Sequence, residues 1–182
     1  MPFVYLALIL AIVVTGVAAV RDFRTGHIPN WLTFGAMGLG ACLHAAYGAS
    51  EGGLRGFGGA LVSVVLGIVV CSLVPLLLWR AKGMGGGDVK LLGSLGALLG
   101  PVIGLQAQFY SFVAITLYAL ARLAYHGKLL KTLANSLRIA VNPVLPAARR
   151  KPVPAELMTS LRLGPAILAG VVAAALAQWR VG

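Results

Sequence analysis

Residues 57–79 read FGGALVSVVLGIVVCSLVPLLLW, an apolar run without a charged side chain. A helix needs about 20 mostly apolar residues to cross the hydrocarbon core of a bilayer, and this run is long enough. Five further runs are of the same kind: residues 3–20, 31–49, 89–105, 108–125 and 163–179. The second is interrupted only by His44, the fourth is glycine-rich with Lys90 at its edge, and the fifth carries Arg122 near its end. The expected fold is all-α, a polytopic membrane protein with about six transmembrane helices.

The composition agrees. Only 10% of the 182 residues are charged, against about a quarter in soluble proteins, and the mean hydropathy is +0.93. That excludes a disordered chain, a nucleic-acid module and a simple soluble enzyme. The net charge of +11 is scattered between apolar runs. There it orients the chain and meets anionic lipid rather than nucleic acid. Cys42 and Cys71 sit inside apolar runs without CxxC spacing, so they read as small buried residues rather than a disulfide or zinc site.

Charge placement tests the span count. With alternating sides, Arg55 and Arg180 fall on one face and the other 13 of the 15 Lys and Arg on the opposite face. The positive-inside rule makes the basic face cytoplasmic and puts both termini on the non-cytoplasmic side. The first run has no basic residues before it and Arg21 and Arg24 after it, the pattern of a retained helix rather than a cleaved signal. The chain is expected to form a single membrane-embedded domain, 1–182, with one long basic cytoplasmic loop at 126–162. Within the loop, residues 128–141 read KLLKTLANSLRIAV. Their apolar positions share one helical face, as in an interfacial amphipathic helix or one packed under a bundle.

Two local features carry packing expectations. Gly96, Gly100 and Gly104 recur four apart, a spacing that lets one helix face approach a neighbour closely. Pro75 is expected to kink the third run.

Four acidic residues remain to explain: Asp22, Glu51, Asp88 and Glu156. Glu51 and Glu156 fall in loops and read as solvated charges. Asp22 follows the first span and Asp88 precedes the fourth, at the same membrane boundary. Ionisable groups there are costly and point to function. Each has a plainer alternative. Asp22 lies between Arg21 and Arg24, an ion-pair setting, and Asp88 could cap a helix. Together they suit another role. Two converging carboxylates share a proton, because both ionise only at a cost. The ionised one is a general base for water, and the protonated one polarises a carbonyl. That is aspartic protease chemistry, and it needs no metal, nucleophilic side chain or cofactor.

The surroundings of Asp88 fit. Gly83-Met84-Gly85-Gly86-Gly87-Asp88-Val89-Lys90 removes side-chain bulk, so a substrate strand can approach the carboxylate. The Gly-Lys-[Ser/Thr] ending of a phosphate loop is missing. His27, His44 and His126 are dispersed and form no HExxH or Ser-His arrangement.

Asp22-Phe23-Arg24-Thr25-Gly26-His27-Ile28-Pro29-Asn30 resembles the first catalytic motif of type IV prepilin peptidases. Gly85-Gly86-Gly87-Asp88-Val89-Lys90 resembles their second motif, Gly-x-Gly-Asp-x-Lys, and Leu163-Gly164-Pro165-Ala166-Ile167 resembles a segment opening their last span. The resemblance implies a six-span aspartyl protease of the inner, cytoplasmic membrane. Such an enzyme cuts the basic leader from type IV pilin-like precursors at the cytoplasmic face. It makes Asp22 and Asp88 the catalytic pair. Gly85 and Gly87 would shape the site, and Lys90, Pro29 and Asn30 would support it. For Lys90, snorkelling at a span end is the plainer role.

Larger members carry an N-terminal domain with paired CxxC motifs that methylates the new N-terminus. This chain opens on its first span and has no CxxC, so peptidase activity without methyltransferase activity is expected. It is similar to the short peptidases of tight-adherence and Flp pilus systems, and archaeal preflagellin peptidases are an alternative. Expected partners are the precursor substrate and anionic membrane lipid, not nucleic acid. From other classes, a small transporter or a subunit of a secretion machine also places acids at span edges. Against a transporter, no acid lies in mid-span and no repeat is visible.

Overall fold

The computed structural model of the chain describes residues 2–81, 83–125 and 163–181. The 128–141 stretch, expected to be amphipathic, lies outside them. The described elements are α1 (Pro2–Thr25), α2 (Asn30–Arg80), α3 (Gly86–Tyr125) and α4 (Gly164–Val181). Every regular element among the described residues is helical. The chain divides into two compact units, residues 1–115 with 162–182 and residues 116–161. The first holds α1, α2, α4 and most of α3. Of the second, the described part is the last stretch of α3, 116–125, which is helical.

Two of the helices are broken. In α2 the backbone leaves helical φ/ψ at Gly52 and Gly53. Gly48 and Gly56 then touch backbone to backbone. In an unbroken helix, residues eight apart are about 12 Å apart, so the chain has reversed. In α3 the break is at Gly100, with φ of 73°, and a Cβ on Gly104 would lie 3.1 Å from Gly96 Cα. That φ is open to glycine and strained for other residues. Pro101 follows it, and the residue before a proline is pushed out of the helical region. The four elements thus make six helical segments: 2–25, 30–51, 54–80, 86–99, 101–125 and 164–181.

The break at Gly100 corrects one expectation. Gly96, Gly100 and Gly104 do not lie along one helix: Gly96 faces Gly104 across a reversal, and the fourth apolar run ends at Gly100 rather than at residue 105. The small residues do bring backbones together. Gly96 also meets Gly67, and a Cβ on Gly40 would lie 2.6 Å from the Ala97 carbonyl. α2 keeps helical φ/ψ through Pro75, and its break is at Gly52–Gly53, ahead of the third apolar run.

The core sits around the first arm of α3. Residues 91–100 are buried without exception, the pattern of a helix apolar all round at the centre of a bundle. Elsewhere the outward faces are apolar too. On α1, Ala7, Ala11, Val14, Ala18 and Ala19 face inward, while Leu6, Ile9, Val13, Val17 and Val20 are exposed. Exposed aliphatic side chains recur along the second arm of α2, from Val62 to Leu78. A surface apolar on both faces suits hydrocarbon rather than water. Among the described residues, three helices, Phe3–Thr25, Asn30–Arg80 and Gly86–Ala121, are long and apolar enough to cross a membrane. Cys71 is buried as expected, whereas Cys42 is exposed; both are free thiols.

α1 and α4 run antiparallel. Asp22 meets Gly164 at one end, and the Tyr5 and Trp179 rings meet at the other, 5.7 Å between centroids. The end of α1, the start of α2 and the start of α4 therefore gather at one end of the bundle. The reversal in α2 brings its C-terminus, and with it the start of α3, back to that end.

Candidate active site

Both aspartates owe their burial to helical phase. On α1 the inward stripe Ala11, Thr15, Ala18 continues at a helical interval to Asp22, which is 7% exposed. On α3, Asp88 heads the stripe of Leu91, Leu92, Leu95 and Leu98 and is 9% exposed. The charges beside Asp22 behave differently: Arg21 and Arg24 are exposed. Asp22 has turned away from the two arginines of its own sequence neighbourhood and into the bundle.

The last turn of α1 is closed by Gly26, whose φ is 66° and whose N–H donates to the Asp22 carbonyl at 2.9 Å. This left-handed C-terminal cap is a glycine position. The Asp22 side chain reaches the other way. Its Oδ2 accepts the N–H of Gly164, the first residue of α4, at 3.0 Å.

Asp88 lies in the first turn of α3, three residues after Gly85, and its carboxylate takes a hydrogen bond from the Gly85 backbone. This is the reach-back half of a capping box, so the capping role expected as an alternative is present. Asp88 also lies within electrostatic range of Asp22. The glycines around it differ in use. Gly85 and Gly86 are exposed, and a Cβ on Gly85 would sit 3.0 Å from Asp88 Oδ2. Gly87 turns inward, where a Cβ would press on Ile28 at 3.3 Å. Ile28, 4% exposed, thus wedges the Asp22-to-Asn30 segment against the glycine loop.

The supporting positions are joined as well. Lys90 Nζ donates to Asn30 Oδ1 at 3.0 Å, across 60 residues of sequence, and stands 5.7 Å from the centre of the Phe34 ring. Pro29 occupies the N-cap of α2 in extended conformation, and its carbonyl accepts the Leu32 N–H at 3.2 Å. All seven residues singled out from the sequence, Asp22, Pro29, Asn30, Gly85, Gly87, Asp88 and Lys90, therefore lie at one end of the bundle. Gly164 was not among them. Its signal was available in the Leu163-Gly164-Pro165 segment at the start of an apolar run, but nothing in the sequence pairs that segment with Asp22.

Chemically, the arrangement offers two buried carboxylates, each held by a backbone N–H, beneath a glycine loop open to the surface. Among the described residues, no three His, Cys, Asp or Glu side chains gather as a metal would require.

The sequence model of the type IV leader peptidase family matches residues 8–120, more than half of the chain and both aspartates with it. No curated protein and no solved structure matches. The chain belongs to the type IV leader peptidase family, and with its apolar helices it is a membrane protein and a peptidase.

Proposed function

We propose that this leader peptidase is an aspartyl endopeptidase that removes the basic leader from type IV pilin-like precursors at the cytoplasmic face of the inner membrane. The observation that carries the reading is the pair Asp22 and Asp88. The two carboxylates are buried, at the same end of the bundle and within electrostatic range of each other.

In this mechanism the pair shares one proton, because two carboxylates at close range do not both ionise cheaply. The ionised carboxylate takes a proton from water as its oxygen attacks the scissile carbonyl carbon. The protonated one donates to the carbonyl oxygen. Collapse of the tetrahedral intermediate breaks the C–N bond, and the leaving nitrogen picks up a proton from the pair. The precursor strand enters over the exposed Gly85 and Gly86, where absent side chains let its backbone come close.

The proposed topology has six passes, with the aspartate end cytoplasmic and both termini non-cytoplasmic. Arg21, Arg24, Arg80 and Lys90 lie at the aspartate end, whereas Arg55 and Arg180 lie at the other, which supports that orientation. The same basic end suits anionic lipid. A basic leader gains nothing from it, so packing of the precursor's apolar helix and the two aspartates position the substrate.

The test is cleavage of a co-expressed pilin-like precursor, read as a gel shift, at equal membrane levels of wild type, Asp22→Asn and Asp88→Asn. Cleavage by wild type alone supports the pair. Full cleavage by either variant removes that aspartate from the mechanism.

A further inference from the structure

Among the described residues, α4 has no side-chain cap from its own flank. Its first-turn N–H groups lack intrahelical partners, and Leu163, which precedes it, has no side-chain oxygen to offer. The Leu163 carbonyl starts the helix by accepting the Ile167 N–H at 3.0 Å. Pro165 has no N–H to satisfy. The Gly164 N–H is buried and goes to Asp22 Oδ2 at 3.0 Å, from a residue 142 positions earlier. The approach leaves no room for a side chain. A Cβ on Gly164 would lie 2.9 Å from Asp22 Cβ, 3.0 Å from its Oδ2 and 3.1 Å from Ala19 Cα.

We infer that the Asp22 carboxylate caps the N-terminus of α4 from a distance and that Gly164 is thereby a positioning residue of the active site. The bond holds Oδ2 against the start of α4 and so fixes how the carboxylate is turned. The inference rests on the aspartyl reading above and adds to it how one carboxylate is aimed. α4 thus closes onto the site as well as onto α1.

Two measurements on the full chain test it. The first is kinetic. Gly164→Ala is expected to lower kcat by about 10–100-fold with KM within about twofold of wild type, because a small misplacement of a reacting group is costly. Gly170→Ala is the control for loosened packing. Gly170 also abuts a neighbour, Ser111, but farther along α4. At matched amounts of folded protein it should keep most of the wild-type kcat. Wild-type kcat in Gly164→Ala, or an equal loss in Gly170→Ala, overturns the inference.

The second measurement needs no substrate. Asparagine can still accept from the Gly164 N–H and alanine cannot. Asp22→Asn should therefore melt within about 1 °C of wild type, and Asp22→Ala about 2–4 °C lower. Equal melting of all three overturns the capping role. If wild type cuts no precursor, the proposed function fails, and the melting comparison still decides who caps α4.

Discussion

The two ends of the bundle hold loose backbone groups with different side chains. At the aspartate end, α3 and α4 begin, and helix starts leave N–H donors unsatisfied. Carboxylates fill that need: Asp88 takes the Gly85 N–H and Asp22 the Gly164 N–H. At the other end α3 reverses at Gly100, and there carbonyls are left over. The break falls two residues after Leu98, and Pro101 has no N–H to offer the Ala97 carbonyl. His44 fills that need, with Nε2 3.1 Å from the Leu98 oxygen. A carbonyl only accepts, so Nε2 carries the proton. The His44 ring is fixed by Phe3, edge to face at 4.9 Å. The first end gathers the two carboxylates, and the His44 contact at the far end serves stability.

The comparison breaks most sharply on the aspartates. Asp22→Asn and Asp88→Asn should each lower precursor cleavage by about 10²–10⁴-fold with little loss of folded protein, measured by gel shift against a membrane immunoblot. A variant that cuts normally would make that end structural, like the other. Next in size, Gly96→Leu should destabilise by about 3 kcal/mol, since its side chain would meet the Gly67 backbone. Thermal unfolding in detergent reads this, and an unchanged melt would show that the glycine contact carries no weight.

His44→Ala should cost about 1–2 kcal/mol by leaving the Leu98 carbonyl unsatisfied, while His44→Gln keeps a donor and recovers part of it. Cleavage per folded molecule should stay at wild-type level in both, and a fall in kcat would erase the division between the ends. The smallest effect belongs to Lys90 and Asn30. A double-mutant cycle of Lys90→Met and Asn30→Ala, read by melting, should return about 0.5–1 kcal/mol of coupling for one exposed hydrogen bond. Zero coupling would leave Lys90 as a snorkelling lysine.

How far the site was legible depends on the kind of information each residue needed. Asp22 and Asp88 stood out because acids are scarce in this chain and motifs surround both. Their burial comes from helical phase, which is a local property. The bond between Lys90 and Asn30 was legible only as two supporting positions, since nothing in either segment states that they touch. Gly164 escaped because its part is played by a backbone N–H, which every residue but proline has. The ladder of Gly96, Gly100 and Gly104 was misread for a related reason. Four-residue spacing fits a packed helix face and also a hairpin turned at its middle glycine. Pro101 was the local sign of the turn.

The sequence by itself determined the apolar helices, the two acidic motifs and membership of a peptidase class. The helices rest on composition and short-range periodicity, because burying apolar surface and turning a helix are set within a few residues, and the peptidase class rests on the resemblance of the two motifs to a known family. The tertiary structure alone decided that Asp22 leaves its arginine neighbours for the start of α4, that Lys90 reaches Asn30, and that Gly100 folds α3 back on itself. Each of those depends on where a helix end finds a partner for its unpaired backbone group, and that partner lies tens of residues away.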